Sequence, residues 1–574
     1  MSRKRGCFIA FVIGLLLLGL FVFLQIPATQ FRGLPRDAGT TVISEPVKAD
    51  GSIDYLKYLN NYLSEGVTPD NNAVVLLVQV LGLEMGELEG PFYEKFGEML
   101  GAPGFQHDPK LIDPVRWLQD QVTAGELRND DVHPLIEEQE LLGSKPWQDA
   151  DHPQFAAALE QQHEALDLIV EASRRPRFYH PLVIMPDSEE GMNILMSALL
   201  PLSQQCRHAA RQLRFRAMNS IGKGDVDAAI EDIKAMRRLG ILTSQSLTMI
   251  ERLVSLAVHD MGCAAEQELL ASGLMSREQL DDYREFIAAW PVNSDLAKRV
   301  DLAERFMCLD VLQNASVHGG NAILYGLQGS GLDSNDWQMM VLNLVLSSTD
   351  MGQAMRTSNQ WYDKGVESLQ LTSPRERYEA CNELFEEVEA LEVELVDPAS
   401  AVWTLLSSPK ARGKMVGKFM VATFFPGLQQ VNNLEFRMQL KSQLMEVACL
   451  IEAYRKEIGS YPSSLQELEE QFGSAELLND PLNDQQLNYQ TTDTGYLLFS
   501  IGVDGEDNGG REWLETSDSS KFDIRVCIGD PPEPEEDSPI AREAQARASE
   551  LRWQERQRRK AESARGNQQR DTQE

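Results

Sequence analysis

The string from Asp504 to Glu515 holds a dense set of oxygen-bearing side chains that could bind a hard metal ion. Asp504, Glu506 and Asn508 stand at positions one, three and five of a twelve-residue loop, while Gly509 and Glu515 stand at positions six and twelve. Ca²⁺ takes about six to eight oxygen ligands, and a loop with this spacing can wrap around the ion. The sequence therefore predicts a calcium site with these side chains as ligands.

Three features separate this loop from a standard EF-hand. Position three is Glu506 instead of aspartate or asparagine, position eight is Arg511 instead of an apolar residue, and a strand-like segment precedes the loop where a helix is usual. A glycine-rich turn whose carboxylates are simply solvated fits the same string. The calcium site and the solvated turn both stay open on the sequence alone.

The spacing of histidine and cysteine residues in other parts of the chain indicates structural packing, not metal binding or catalysis. His163 and Asp167 lie one helical turn apart, but the aspartate takes the place of the second histidine of a zinc-binding helix. His259 and Cys263 are also one turn apart, and we assign them to the core. Since the sequence contains no nucleophile elbow and no phosphate loop, we name no catalytic and no cofactor-binding residue.

A stripe of arginines lies on one face of a predicted helix, at Arg207, Arg211 and Arg214. Glu231 and Asp232 follow on the returning helix, and we expect them to form salt bridges with the stripe. An anion or an acidic partner is the alternative occupant.

The elements that position these residues are mainly helical. The chain has 574 residues, of which 43% are hydrophobic and 25% charged, as in folded globular proteins. Residues 1–36 carry a charge of +5 and residues 540–574 one of +3, so the net −35 of the chain leaves −43 on residues 37–539. A body of that sign repels phosphate backbones, which argues against nucleic acid as a partner.

An apolar run without charges extends from residue 7 to 26. A helix of that length spans about 30 Å, the thickness of the hydrocarbon core of a bilayer. The basic residues within 1–6 favour a cytoplasmic N-terminus. We therefore predict a transmembrane signal-anchor in the inner membrane, crossing once, with the bulk of the chain in the periplasm. A cleaved signal peptide is the competing interpretation.

Periodicity and composition divide the remainder of the chain. We predict a linker at 27–50, a helical subdomain at 51–200 with a loop-rich part at 101–154, and an irregular α-helical bundle or short α-solenoid at 201–430. Within the last, a hairpin at 201–240 resembles a tetratricopeptide repeat. Six widely spaced cysteines after Cys7 are expected to be buried free thiols.

The character of the chain changes after residue 430. A last helix ends at Gly459, and strand-like segments follow at 487–490, 496–503 and 522–528, so 431–529 forms a small α+β domain. Residues 530–574 are rich in proline and charge, and we predict a disordered tail.

The α+β domain resembles the globular domain of the major, G-class pseudopilins of type II secretion. The matching strings are Glu452-Ala-Tyr-Arg, Gly459-Ser-Tyr-Pro-Ser-Ser-Leu, Asp480-Pro, and Tyr496-Leu-Leu-Phe-Ser-Ile-Gly-Val-Asp-Gly. The resemblance implies calcium in the loop after the matching strand, with Asp504, Asp507 and Asp523 as ligands. The whole chain looks like a family of uncharacterised, membrane-anchored planctomycete proteins, from which no activity transfers.

The sequence thus favours a non-catalytic envelope protein that binds other envelope proteins through helix grooves and has a C-terminal loop for Ca²⁺. An envelope hydrolase whose polar residues converge in three dimensions is the alternative, and an accessory protein of a secretion system is a further one. A pocket with several ionisable groups of perturbed pKa would favour the enzyme, whereas a concave helical surface would favour binding.

Overall fold

The computed structural model describes residues 33–546 except 83–88, 104–110, 113, 126–127, 129–131, 185–193, 199, 293–294, 321, 324–342, 344–345, 397–406, 474, 484, 503–504, 513 and 517–521. The chain divides into two compact units. Unit 1 contains Met1–Ala265 and Val292–Phe436, and unit 2 contains Glu266–Pro291 and Arg437–Glu574.

The described part of the chain is mainly helical and carries a small sheet near its C-terminal end, as the sequence predicts. The α-helices are α1 Tyr55–Leu63, α2 Ala73–Leu81, α3 Glu89–Met99, α4 Pro114–Thr123, α5 Val132–Leu142, α6 Pro153–Gln161, α7 His163–Ser173, α8 Pro201–Lys223, α9 Val226–Thr243, α10 Met249–Ala271, α11 Arg277–Ala289, α12 Leu296–Arg299, α13 Arg305–His318, α14 Met351–Leu369, α15 Pro374–Val396, α16 Pro409–Phe424, α17 Pro426–Ile458 and α18 Leu465–Phe472. A π-helical turn, Val300–Glu304, joins α12 to α13.

Within the described residues, no helix combines the length and the apolarity that crossing a bilayer requires. The predicted signal-anchor at 7–26 lies outside the described residues.

The interior of unit 1 contains a fully buried ion pair. The Nε and Nη2 atoms of Arg252 on α10 both lie 3.0 Å from Oε2 of Glu435 on α17, and both side chains are less than 5% exposed. The Nη1 atom of Arg252 donates to Ser255, whose hydroxyl donates to the carbonyl oxygen of Gly240 on α9. The pair therefore fixes the positions of three helices in unit 1.

The α8–α9 hairpin of unit 1 turns at Gly224, which has φ of 76° and therefore takes the left-handed conformation that favours glycine. Asp225 caps α9 by accepting a hydrogen bond from the amide of Ala228. Gly222, which the sequence places in the turn region, is helical instead. The backbone of Trp147 packs directly against its Cα, in the space that a Cβ would occupy.

Residues 33–54 pack against the rest of unit 1, although the sequence places most of them in the linker at 27–50. The side chain of Gln313 bonds both the amide and the carbonyl of Ile53, at 2.8 and 3.0 Å. The Asn359 amide donates to the carbonyl oxygens of Gly39 and Thr40. These bonds bind backbone groups, so the amino-acid types of the segment do not reveal them.

Unit 2 contains a three-stranded antiparallel sheet in the order β1 Asn488–Thr491, β2 Tyr496–Ser500, β3 Ile524–Ile528. All five residues of the central β2 are buried, so side chains cover both of its faces. This explains the unbroken apolar run of Tyr-Leu-Leu-Phe, since a strand buried on both sides does not alternate. The strands predicted at 487–490, 496–503 and 522–528 are confirmed to within a few residues.

Unit 2 also includes residues 266–291, which the sequence analysis places in the 201–430 domain. Arg277 on α11 pairs with Glu457 on α17 at 2.8 Å, and Lys456 donates to the carbonyl oxygen of Gly273. A capping box opens α11, because Ser276 and Gln279 each accept a hydrogen bond from the backbone amide of the other.

The first part of the predicted disordered tail is ordered. The amide of Glu535 donates to the carbonyl oxygen of Glu515 at 2.9 Å, Ser538 is fully buried, and residues 539–546 are helical. Backbone hydrogen bonds to the loop before β3 hold this stretch, so its charged composition does not keep it unfolded. Residues 547–574 lie outside the described residues.

Replacing Gly222 by alanine should lower the free energy of unfolding by about 1–3 kcal/mol, because the new methyl group overlaps the Trp147 backbone. Gly427→Ala is the matched control, since Gly427 is also helical and, apart from its chain neighbours and the nearby backbone of its own helix, no described atom lies within 4 Å of the point that its Cβ would occupy. We expect the control to be neutral or slightly stabilising. Thermal and urea unfolding of the full chain measure both, and equal stabilities of the two variants would contradict the prediction.

Candidate functional site

The predicted calcium loop lies in unit 2 between β2 and β3. Asp504 falls outside the described residues, whereas Glu506 and Asp507 are exposed at the surface. Asp507 accepts a hydrogen bond from the amide of Gly509 at 2.8 Å, and the Asn508 side-chain amide donates to the carbonyl oxygen of Glu506. These contacts shape the turn locally.

Asp523 organises the same loop from its far end. Its Oδ2 atom accepts hydrogen bonds from the amides of Asn508 and Gly510, at 3.0 and 2.6 Å. The side chain is 1% exposed, and burial raises the pKa of Asp523 to about 6. The Asp523 carboxylate therefore lies against the backbone of Asn508 and Gly510 and holds this part of the loop in place.

Glu515 is held by a different partner. Its two carboxylate oxygens accept hydrogen bonds from the guanidinium group of Arg525 on β3, at 2.6 and 2.8 Å. The same arginine donates to the carbonyl oxygen of Gly510. A ligand role for Glu515 would thus require this ion pair to open. Within the described residues, no group of three or more His, Cys, Asp or Glu side chains is arranged to hold a metal ion.

The remaining predicted clusters lie in unit 1. His163 Nε2 lies 3.4 Å from Asp167 Oδ2, and both side chains are more than half exposed. His259 and Cys263 are buried, as expected for core residues. The six cysteines after Cys7 are buried, and none of these six is in a disulfide bond.

Glu231 and Asp232 do form salt bridges, but with other arginines than the sequence analysis expects. Glu231 pairs with Arg174 at 2.6 Å, and Asp232 pairs with Arg216 at 2.7 Å. Arg216 lies two residues beyond Arg214, on another face of α8, and this face meets α9. The arginine stripe therefore does not supply the partners, because the register of the hairpin selects a different face of α8.

Arg216 stands between two carboxylates. It contacts Asp232 through Nε and Nη2 and Asp167 through Nη1, the latter at 2.8 Å. Asp232 is almost fully buried, and burial raises its pKa. Asp167 is exposed. The guanidinium group thus compensates a charge that would otherwise be buried alone.

These residues line an open cavity of about 470 Å³, which we call the charged groove. Helices α6, α7, α8 and α9 form its walls. Among the described residues its charged lining consists of Asp149, Glu160, His163, Asp167, Arg174, Arg216, Lys223, Asp225, Glu231 and Asp232.

Every arginine and lysine of the charged groove forms an ion pair with a carboxylate of the same lining. Lys223 pairs with Asp149 at 3.2 Å, and the hydrogen bond from Asn219 lowers the pKa of Asp149. Groups that are paired in this way are poor proton carriers, but they present fixed charges of both signs. The groove is therefore suited to polar recognition more than to acid–base catalysis.

Sequence reasoning missed Asp149, Arg174, Arg216 and Lys223 as members of one site. They come from three separate segments, since Arg216 and Lys223 both lie on α8, and a single sequence gives no signal that these segments meet. In comparisons with known proteins, no family model, no curated protein and no solved structure matches the chain.

Arg216→Met should destabilise the protein by about 3–5 kcal/mol, because it leaves the carboxylate of Asp232 buried without a partner. The loss should shrink as the pH falls, since a buried unpaired carboxyl has a raised pKa in the folded state and protonation then favours folding. Urea unfolding of the full chain between pH 5 and 8 measures this effect.

Arg211→Met is the matched control, because Arg211 is exposed on the same helix and does not line the groove. It should change stability by less than about 0.5 kcal/mol at any of these pH values. Adding Asp232→Leu to Arg216→Met should recover much of the lost stability. A loss that persists in the double variant would show that the ion pair is not its cause.

Proposed function

We propose that this chain is a non-catalytic component of the cell envelope, anchored in the inner membrane by residues 7–26, with a periplasmic body that binds other envelope proteins. The apolar run and the basic residues before it support the anchor and its orientation. The strongly acidic composition of residues 37–539 supports a soluble body and a basic or mixed-charge partner surface.

The observation that carries this proposal is the charged groove. Its volume of about 470 Å³ and its open, helix-lined walls suit a polar segment of a partner protein. Fixed charges of both signs select a partner by electrostatic complementarity and reject one with the wrong pattern. The α8–α9 hairpin that forms half of this groove supports the likeness to a tetratricopeptide hairpin, a module that presents concave binding surfaces.

The alternative of an envelope hydrolase would need ionisable groups that are free to take up and release protons. In the charged groove the arginines and the lysine are held by Asp149, Asp167, Glu231 and Asp232. The shifted pKa values of Asp149 and Asp232 belong to groups held by Asn219 and Arg216, as in structural networks, so they do not favour the enzyme in the way that free groups of perturbed pKa would. This pairing supports binding over hydrolysis.

For unit 2 we propose a pseudopilin-like end that Ca²⁺ stiffens. A long helix, a short helix and an antiparallel sheet follow one another in the order that the resemblance implies. Asp504, Glu506, Asp507, Asn508 and Asp523 would supply oxygens, with Glu515 joining if its ion pair with Arg525 opened. A role as an accessory of a secretion system rests on the same resemblance.

Site-specific photo-crosslinking in native membranes tests the binding proposal. A photoreactive residue in place of Glu160, which lines the groove and is exposed, should give a discrete adduct with an envelope protein. The same residue in place of Glu171, which is exposed on α7 outside the groove lining, should not. Lys223→Glu should abolish the adduct by reversing a groove charge. Equal adducts from both positions, or recovery of the chain in the cytosol, would contradict the proposal.

Calorimetric titration of the full chain with Ca²⁺ tests the proposed ion site. We expect a binding heat, and a gain of about 2.7 kcal/mol in stability at a hundredfold excess over Kd. Asp504→Ala should remove both effects. Asp493→Ala, which removes an exposed carboxylate from the β1–β2 turn, should retain them. The calcium proposal fails if Asp504→Ala responds to Ca²⁺ like the unmodified chain.

A further inference from the structure

A second cavity of unit 1, of about 460 Å³, lies away from the residues of the charged groove. Its walls are the end of α1, the segment after α7, the loop from α9 to α10, and α12. We call it the cationic cavity. Its volume falls in the range of sites that hold small organic molecules.

The lining of the cationic cavity has more basic than acidic side chains, whereas residues 37–539 as a whole are strongly acidic. Arg177, Lys298 and Arg299 line the cavity, against the two carboxylates of Glu65 and Asp295. Asp295 already caps α12, because its Oδ1 accepts a hydrogen bond from the backbone amide of Lys298 at 3.0 Å. A chain with a net charge of −35 thus gathers three cations around one concave space.

Arg299 is the buried member of the three and is 3% exposed. Its two Nη atoms donate to the carbonyl oxygens of Ser244 and Ser246, just beyond the end of α9. Within the described residues, its Nε atom is buried without a hydrogen-bond partner. Burial and the nearby charge of Arg252 lower the pKa of Arg299 to about 10, whereas the carboxylates of Glu435 and Glu251 act in the opposite direction. An anion in the cavity would add to the negative charge that these carboxylates place near the guanidinium group.

The other two cations flank the same space. The Nη2 atom of Arg177 donates to the backbone carbonyl oxygen of Glu65 at 2.7 Å, and its Nε atom is buried without a partner in the described part of the chain. The Lys298 ammonium group lies 4.8 Å from the centre of the Tyr62 ring. Lys298 is exposed, so its ammonium can turn towards a ligand by giving up this contact with the Tyr62 ring.

We propose that the cationic cavity binds a small molecule bearing a phosphomonoester. Two guanidinium groups and an ammonium group match the charge and the several acceptor oxygens of such a group. The rings of Tyr62 and Phe178 in the same lining would contact the organic part of the molecule. This site is separate from the charged groove and does not depend on the protein partner proposed for it.

Calorimetric titration of the purified full chain in a zwitterionic detergent tests the proposal, with sn-glycerol 3-phosphate as the probe and glycerol at equal ionic strength as the blank. Lys298→Gln should weaken binding at least tenfold, and Lys298→Arg should restore most of it. Lys414→Gln is the matched control, because Lys414 is exposed on α16 and does not line the cavity. Thermal unfolding without ligand should be the same for all four proteins, since Lys298 is exposed.

A second arm distinguishes a free metabolite from a lipid headgroup by using vesicles of phosphatidylcholine with or without phosphatidic acid. Binding of the soluble ester, or binding of the phosphatidic acid vesicles alone, supports the phosphate site when Lys298→Gln removes it. The proposal is overturned if neither probe binds, or if Lys298→Gln and Lys414→Gln bind the probe equally well.

Discussion

The buried ion pair between Arg252 and Glu435 is the interaction on which the arrangement of unit 1 depends. A charge removed from water needs a partner, and the two residues are 183 positions apart in the chain. The first turn of α10 and the third turn of α17 must therefore meet with the two side chains in register. Ser255 extends the same constraint to Gly240 on α9, so that polar contacts, together with apolar packing, decide how these helices lie.

The same requirement distinguishes the charged groove from the cationic cavity. In the charged groove each arginine and lysine has a carboxylate partner, so these cations need no ligand to balance their charge. In the cationic cavity the guanidinium group of Arg299 donates to backbone carbonyl oxygens, which carry only partial charges, and among the residues that the structure describes its Nε atom has no hydrogen-bond partner. A surface on which every cation has a carboxylate partner suits discrimination among protein partners. A cavity in which a cation has only backbone carbonyl partners suits the binding of an anionic ligand.

Local patterns in the sequence predict local features of the structure well. The apolar run from Tyr496 to Phe499 forms β2, and the last long helix ends just before Gly459, because each depends on neighbours within a few residues. The choice of partners does not follow in this way. Arg216 and Asp232 meet because of the register of a hairpin, and Glu515 meets Arg525 because the loop folds back on β3. A single sequence gives the positions of charged residues along the chain but not the distances between them in the fold.

The bonds that hold residues 33–54 to unit 1 shorten the connection to the proposed anchor. Twelve residues, 27–38, separate the end of the apolar run from Gly39, the first residue that Asn359 holds. Fully extended, they would reach about 40 Å, whereas the whole of 27–50 would reach about 80 Å. The proposed anchor would therefore hold the folded body close to the lipid surface. The body would then meet partners that are embedded in that membrane or lie directly on it.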